Sequence, residues 1–261
     1  MSKFRLIYYI FSLFAVITIV ILSYNSDYFF IFGLLSILII SPNFILKQNE
    51  HNALLQITLE YAQTCDPKEY LENLINYNKG KLKNKKMKIF DELTYSQIYL
   101  DMGEFTKAFD ILQKYSEVEV NFSNYLRFWY FHALSNYFIL NNKLEKAKLF
   151  VNQIEEISKT APVVFKNSIY FDYKILSAKI DIRNNISLES IKSLFEEILK
   201  DSNLSPLKIF SYTFYLGIIN LKLGNKYEGV KQLQTVSNFN DNLYYARLSK
   251  KILLDINNLP Q

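Results

Sequence analysis

Two histidines and one cysteine are the side chains best suited to hold a metal or carry nucleophilic catalysis. His51 and His132 stand far apart, with no HExxH, no CxxC pair and no carboxylate cluster around them. Cys65 has no histidine beside it in sequence, so only spatial proximity to His51 could supply a base. None of the six glycines falls in a GxGxxG or GxxxxGK arrangement that would cradle phosphate. Glu155-Glu156 and Glu196-Glu197 are adjacent on helices, point in different directions and read as solvated surface. The expectation is a chain with no catalytic residue, no metal and no cofactor.

Two stretches carry more promise for binding. "KGKLKNKKMK" places Lys79, Lys81, Lys83, Lys85, Lys86 and Lys88 within ten residues and contains no acid. It reads either as a solvated linker between two early helices or as a contact for anionic lipid headgroups. Nucleic acid is disfavoured, because no aromatic residues interleave for base stacking. "NYLRFWYFHALSNYF", Asn124 to Phe138, is the densest aromatic run and holds the one tryptophan. Aromatic residues on helices usually form core, yet Phe128, Trp129, Tyr130 and Phe131 cover more than one helical face and cannot all be buried equally.

The elements that must position these residues are helices. Glycine and proline number only six and five in 261 residues, too few for many tight turns or a sandwich of short strands. A net charge of +5 is modest for this length and selects no acidic partner. The lone Cys65 rules out an internal disulfide and fits a reducing compartment.

The first 46 residues are almost uniformly apolar. Residues 6–22 carry no charge, and neither do residues 28–46, interrupted only by Ser41-Pro42-Asn43. Each run approaches the ~20 residues that cross a hydrocarbon core of ~30 Å. "SYNSD" between them suits a polar hairpin, and Tyr8, Tyr9, Tyr24 and Tyr28 fall where interfacial rings are favoured. The expectation is a transmembrane hairpin over 1–47 and a second domain over 48–261, with a hairpin that enters and leaves one leaflet as the competing reading. No small-residue cleavage site follows the first run, which argues against a signal peptide. Lys3, Arg5 and Lys47 flank the spans while the tip carries only Asp27, so both termini should be cytoplasmic.

Beyond Lys47, apolar residues recur at three- and four-residue spacings in about eleven segments between Asn49 and Asn257. Asp66-Pro67, Ala161-Pro162, Ser187 and Ser205-Pro206 supply helix starts. Tyr99, Gly103, Phe105, Ala108 and Leu112 find counterparts in Phe138, Asn142, Leu144, Ala147 and Val151. A third copy runs from Tyr215 to Leu233, with Tyr227 matched to Phe105 and Gly229 to Ala108. Between the second and third there is room for a diverged copy around Ser177-Ala178 and Ser190-Ile191, and a half-recognisable one covers Leu54 to Tyr77. Hairpins at a fixed period imply stacking, because one hairpin cannot bury its own apolar face.

This pattern, a Leu-Gly pair with a following aromatic and then Ala-x-x-x-large, resembles the tetratricopeptide repeat superfamily. The Leu-Gly pair survives as Leu216-Gly217, while Ser96 and Ser135 replace the glycine elsewhere, and the period exceeds that family's. The resemblance implies an all-α fold, with a right-handed α-solenoid of about five hairpins, and Phe239 to Asn257 reads as a terminal cap helix. It also implies a concave face that binds peptides or protein surfaces, toward which Trp129, His132 and Asn136 would look. The expected function is a bacterial-type inner-membrane scaffold or adaptor acting by binding alone. The alternative is an accessory subunit of a transport or secretion complex whose spans pack against its partner. An enzyme without a recognisable motif is the third class.

Overall fold

A computed structural model describes residues 48–258 apart from Leu82 and Val118, together with Ile17. Apart from Ile17, the two apolar runs at 6–22 and 28–46 lie outside the described residues. Among the described residues there is no strand, and no helix is long and apolar enough to cross a membrane.

The helices are α1 (48–64), α2 (Pro67–Asn78), α3 (Lys85–Asp101), α4 (Phe105–Gln113), α5 (Asn124–Leu140) and α6 (Leu144–Thr160). They continue as α7 (Val163–Asn184), α8 (Leu188–Ile198), α9 (Pro206–Lys222), α10 (Lys226–Ser237) and α11 (Tyr244–Asn257). A 3-10 turn, Glu119–Asn121, precedes α5. The chain divides into two units, residues 1–59 with 72–85 and residues 60–71 with 86–261. Within the first, Tyr77 donates its hydroxyl proton to the Glu50 carbonyl at 2.7 Å, and the Lys81 ammonium lies 3.8 Å from the Glu50 carboxylate.

One turn recurs through the second unit. Gly103, Asn142, Asn185 and Gly224 adopt left-handed backbone at φ of 69°, 55°, 58° and 83°. Glycine and asparagine tolerate this conformation best. At each turn the next N–H reaches back five residues: Glu104 to Tyr99, Lys143 to Phe138, Ile186 to Asp181 and Asn225 to Asn220, at 2.8–2.9 Å. Each left-handed residue also donates to the carbonyl three before it. These paired bonds are the Schellman closure, which satisfies carbonyls the ending helix leaves free. The next helix starts within three residues, so consecutive helices fold back on one another.

Asn185 therefore marks the diverged copy. A second left-handed residue, Ser187 at φ 50°, lengthens that turn, and Ile191 is buried where the first two copies have alanine, while Ser190 is exposed. The third copy needs a register correction. Gly224 lies five residues before Gly229, as Gly103 does before Ala108, so Lys226 rather than Tyr227 matches Phe105. Tyr227 points into solvent, 77% exposed. Pro162 also stands just outside α7, as its N-cap, and α11 starts at Tyr244 rather than Phe239.

α5 packs on α6, α6 on α7, α9 on α10 and α10 on α11, while α5 also meets α7, and α7 meets α9. Asn124 at the start of α5 bonds Thr160 at the end of α6, and Phe138 stacks on Phe150 at 5.6 Å, so that pair is antiparallel. Ala108 on α4 and Ala147 on α6, at corresponding positions of the first two copies, are fully buried. At the third, a Cβ on Gly229 would stand 2.8 Å from Leu221 Cγ and 3.0 Å from the Gly217 carbonyl oxygen, so the helices touch almost backbone to backbone. Ala108→Leu and Ala147→Leu should each destabilise the fold by about 1–3 kcal/mol through overpacking, measured as a lower thermal midpoint. If neither moved it, these crossings would be looser than described.

Candidate functional site

Asp66 opens α2 by accepting from the Lys68 and Glu69 N–H groups at 3.0 and 3.2 Å, and Asn242 donates to both of its carboxylate oxygens at 3.0 Å. The same turn buries Cys65 against Leu243 and Ala246. Segment 60–71 is thereby seated beside α11, which aims Tyr61 at α3. Tyr61 donates to Asp101 Oδ2 at 2.7 Å, and Gln97, one turn earlier on α3, donates to Oδ1 at 3.2 Å.

From the next helices come further polar groups. On α5, Asn136 donates to the His132 carbonyl at 3.3 Å, with His132 Nδ1 also within 3.4 Å. From α7 the Lys179 ammonium donates to Asn136 Oδ1 at 3.2 Å and lies 5.2 Å from the centre of the Tyr215 ring of α9. Tyr215 and Tyr245 of α11 share a hydroxyl–hydroxyl bond of 3.0 Å. Thus α3, α5, α7, α9 and α11 each contribute a polar side chain.

The electrostatics follow from burial. Lys179 is only 9% exposed and forms no ion pair among the described residues. Its charge is met at longer range by Asp101 and Asp172. Burial pushes the Asp101 carboxyl up to about 6, although its two hydrogen bonds and Lys179 favour the anion. Burial, followed by Lys179, brings His132 down to about 3, so its imidazole is neutral near pH 7. Burial also raises Tyr245 well above the ordinary phenol value and holds the Cys65 thiol at about 11. Such a thiol carries little thiolate near neutral pH, and an imidazole of this kind is a weak base. The described residues contain no group of three or more His, Cys, Asp or Glu that could hold a metal. What the arrangement offers is a set of fixed hydrogen-bonding groups around one buried cation.

Trp129, His132 and Asn136 follow one another along α5, and the structure joins the last two directly. Trp129 is half-buried, with ring contacts to Phe90, Tyr125, Phe128 and His132, and its Nε1 is enclosed without a hydrogen-bond partner. The lysines of the basic run separate. Lys79, Lys86 and Lys88 are exposed, as is Lys85, which starts α3. Lys81 lies over the Tyr77 ring at 2.9 Å, and Lys83 donates to Asn78 Oδ1 at 2.6 Å. Sequence reasoning missed Tyr61, Asp101, Lys179 and Tyr215. The available signal was a lysine inside the apolar run "ILSAKIDI", obscured by the abundance of lysine elsewhere.

No family model, curated protein or solved structure matches the chain.

Proposed function

We infer that this chain is a membrane-anchored, non-catalytic scaffold or adaptor, whose hairpins form a right-handed α-solenoid that binds a protein or peptide partner. The recurring Schellman turn carries this reading. It presents one helix of each hairpin at corresponding positions, and those helices supply Asp101, His132, Asn136, Lys179 and Tyr215. These side chains are largely buried, and their mutual hydrogen bonds hold the helices together as a rigid floor beneath the face on which a partner would lie. The apolar runs at 6–22 and 28–46 supply the anchor, and their basic flanks place both termini in the cytoplasm of a bacterial-type inner membrane. Anchoring raises the partner's effective concentration at the bilayer without any new contact.

Replacing residues 1–47 with an unrelated two-span anchor tests this function. Crosslinking and mass spectrometry in native membranes should recover the same partner from both chains. Loss of the partner on exchange would point instead to an accessory subunit whose spans make the contact. Reporters fused after Lys47 and at the C-terminus should both register cytoplasm, and a periplasmic signal from the second would overturn the localisation.

A further inference from the structure

α7 runs 22 residues where α3, α5 and α9 run 17. Its extra length appears at the start, where every residue from Pro162 to Ser168 is exposed. The sequence there is apolar: Val163 and Val164 are each 84% exposed and Phe165 is 51%. Two adjacent valines are poor choices for a helix end surrounded by water, both for helix propensity and for hydration. Phe165 adjoins Tyr125 of α5 at 6.4 Å between ring centres, and Tyr125 in turn stacks on Phe90 of α3 at 5.7 Å. Met87 and Ile209 are exposed in the first turns of α3 and α9. Val163, Val164 and Phe165 with Tyr125 form an exposed apolar patch, and such a patch marks a contact surface.

Charge identifies the occupant. The first turns of α3, α5, α7 and α9 hold no acid, whereas those of α6, α8 and α10 hold Glu145, Glu189 and Glu228. Exposed Lys86, Lys88, Lys166 and Lys208 flank the apolar residues instead. No acid occurs between Glu156 and Asp172, and Lys159 bridges Glu155 and Glu156 at 3.9 and 2.6 Å. Apolar tips within a lysine border are the chemistry of a bilayer interface with anionic headgroups. The chain that precedes the second unit carries two runs of membrane-spanning length, which keep that unit beside a bilayer.

We propose that the projecting start of α7, with Tyr125 beside it and Lys86, Lys88, Lys166 and Lys208 around it, inserts into the interface of an anionic bilayer. The proposal rests on the membrane-anchored reading for its tether, and not on the partner-binding one. Contact at this edge would hold the second unit in a fixed orientation on the membrane rather than leaving it to swing on its connection.

The test uses the full chain reconstituted into vesicles of phosphatidylcholine and phosphatidylglycerol. An environment-sensitive fluorophore is attached at Val164→Cys, or at Tyr227→Cys in the first turn of α10 as a control; buried Cys65 stays unlabelled. Nitroxide lipids labelled near the headgroup should quench the probe at 164 at least threefold more than the probe at 227. Replacing Lys86, Lys88, Lys166 and Lys208 with Gln should at least halve that difference. Equal quenching at the two sites, in a chain that resists carbonate extraction, would overturn the interfacial edge and leave the anchor standing. Quenching at 164 in a chain that carbonate strips off would support the edge and overturn the spans. A probe at 164 shielded only by cell-derived membranes, and not by pure lipid, would mean a protein occupies the patch and would also overturn the proposal.

Discussion

Asp101→Asn and His132→Gln should change the pH dependence of stability in opposite directions. Asp101 has its folded value raised to about 6. Its contribution is therefore complete below the unfolded carboxylate range near ~4 and is lost as pH rises through 6. His132 has its folded value lowered to about 3. Its neutral form suits the fold above the unfolded value of ~6.5, and that contribution is lost as pH falls toward 3. Between pH 4 and 6 the two slopes nearly cancel in the native chain. Relative to that chain, Asp101→Asn should gain about 2 kcal/mol from pH 4 to pH 7, since it no longer titrates, while its Oδ1 can still accept from Gln97 and its amide N–H can donate to the Tyr61 hydroxyl. His132→Gln should gain about 3 kcal/mol in the other direction, from pH 7 down to pH 4. Both figures are set below the full shift reckoned at ~1.4 kcal/mol for each tenfold change in proton affinity, because each side chain keeps some surface. Thermal unfolding across this range, read as the difference from the native chain, supplies the measurement. A constant offset for both variants would show that neither group is held away from water as described.

Trp129→Ala should cost about 3 kcal/mol of stability, the effect of removing a large ring from a packed aromatic cluster. Its emission, the one indole signal in the chain, should be blue-shifted and shielded from acrylamide. Trp129→Phe should lose far less, because phenylalanine keeps much of the packing and removes an Nε1–H enclosed without a partner. If Trp129 instead anchors a partner, Trp129→Ala would leave the melting transition in place and weaken binding by about 2 kcal/mol or more. The same pair of proteins therefore separates a core ring from a binding ring.

The helices were legible because their apolar spacing is regular and their ends are punctuated by few residue types. Gly103, Asn142 and Gly224 could be aligned from sequence since left-handed backbone admits little besides glycine and asparagine. Asn185 escaped that alignment because Ser187 adds a residue to its turn and Ile191 replaces the small residue that should follow. Two members of the polar cluster were named for a different reason: the repeat resemblance assigned a face to α5, and so picked out His132 and Asn136 as residues of a groove. Asp101 and Lys179 carried no such cue. A polar residue on a helix reads the same in sequence whether it meets water or another helix, until the neighbours are in place. Tyr61 depends on a contact 40 residues away, which no local pattern encodes.

The last helix sits against the first hairpin of the second unit. Arg247 donates to the Met102 carbonyl at 2.6 Å, the Phe105 and Tyr244 rings meet at 5.1 Å, and a Cβ on Gly103 would stand 2.7 Å from Tyr244 Cδ2. In a chain of hairpins that touch only their neighbours, stability is a sum of local terms, folding can begin anywhere and the ends fray first. Bonds spanning 145 and 176 residues remove that freedom. The closing contacts form only once the intervening helices are in register, so much of the loop-closure entropy must be met before they contribute. Folding is slowed accordingly, and unfolding becomes all-or-none, with neither terminus of this unit able to open alone and serve as a point of entry for a protease.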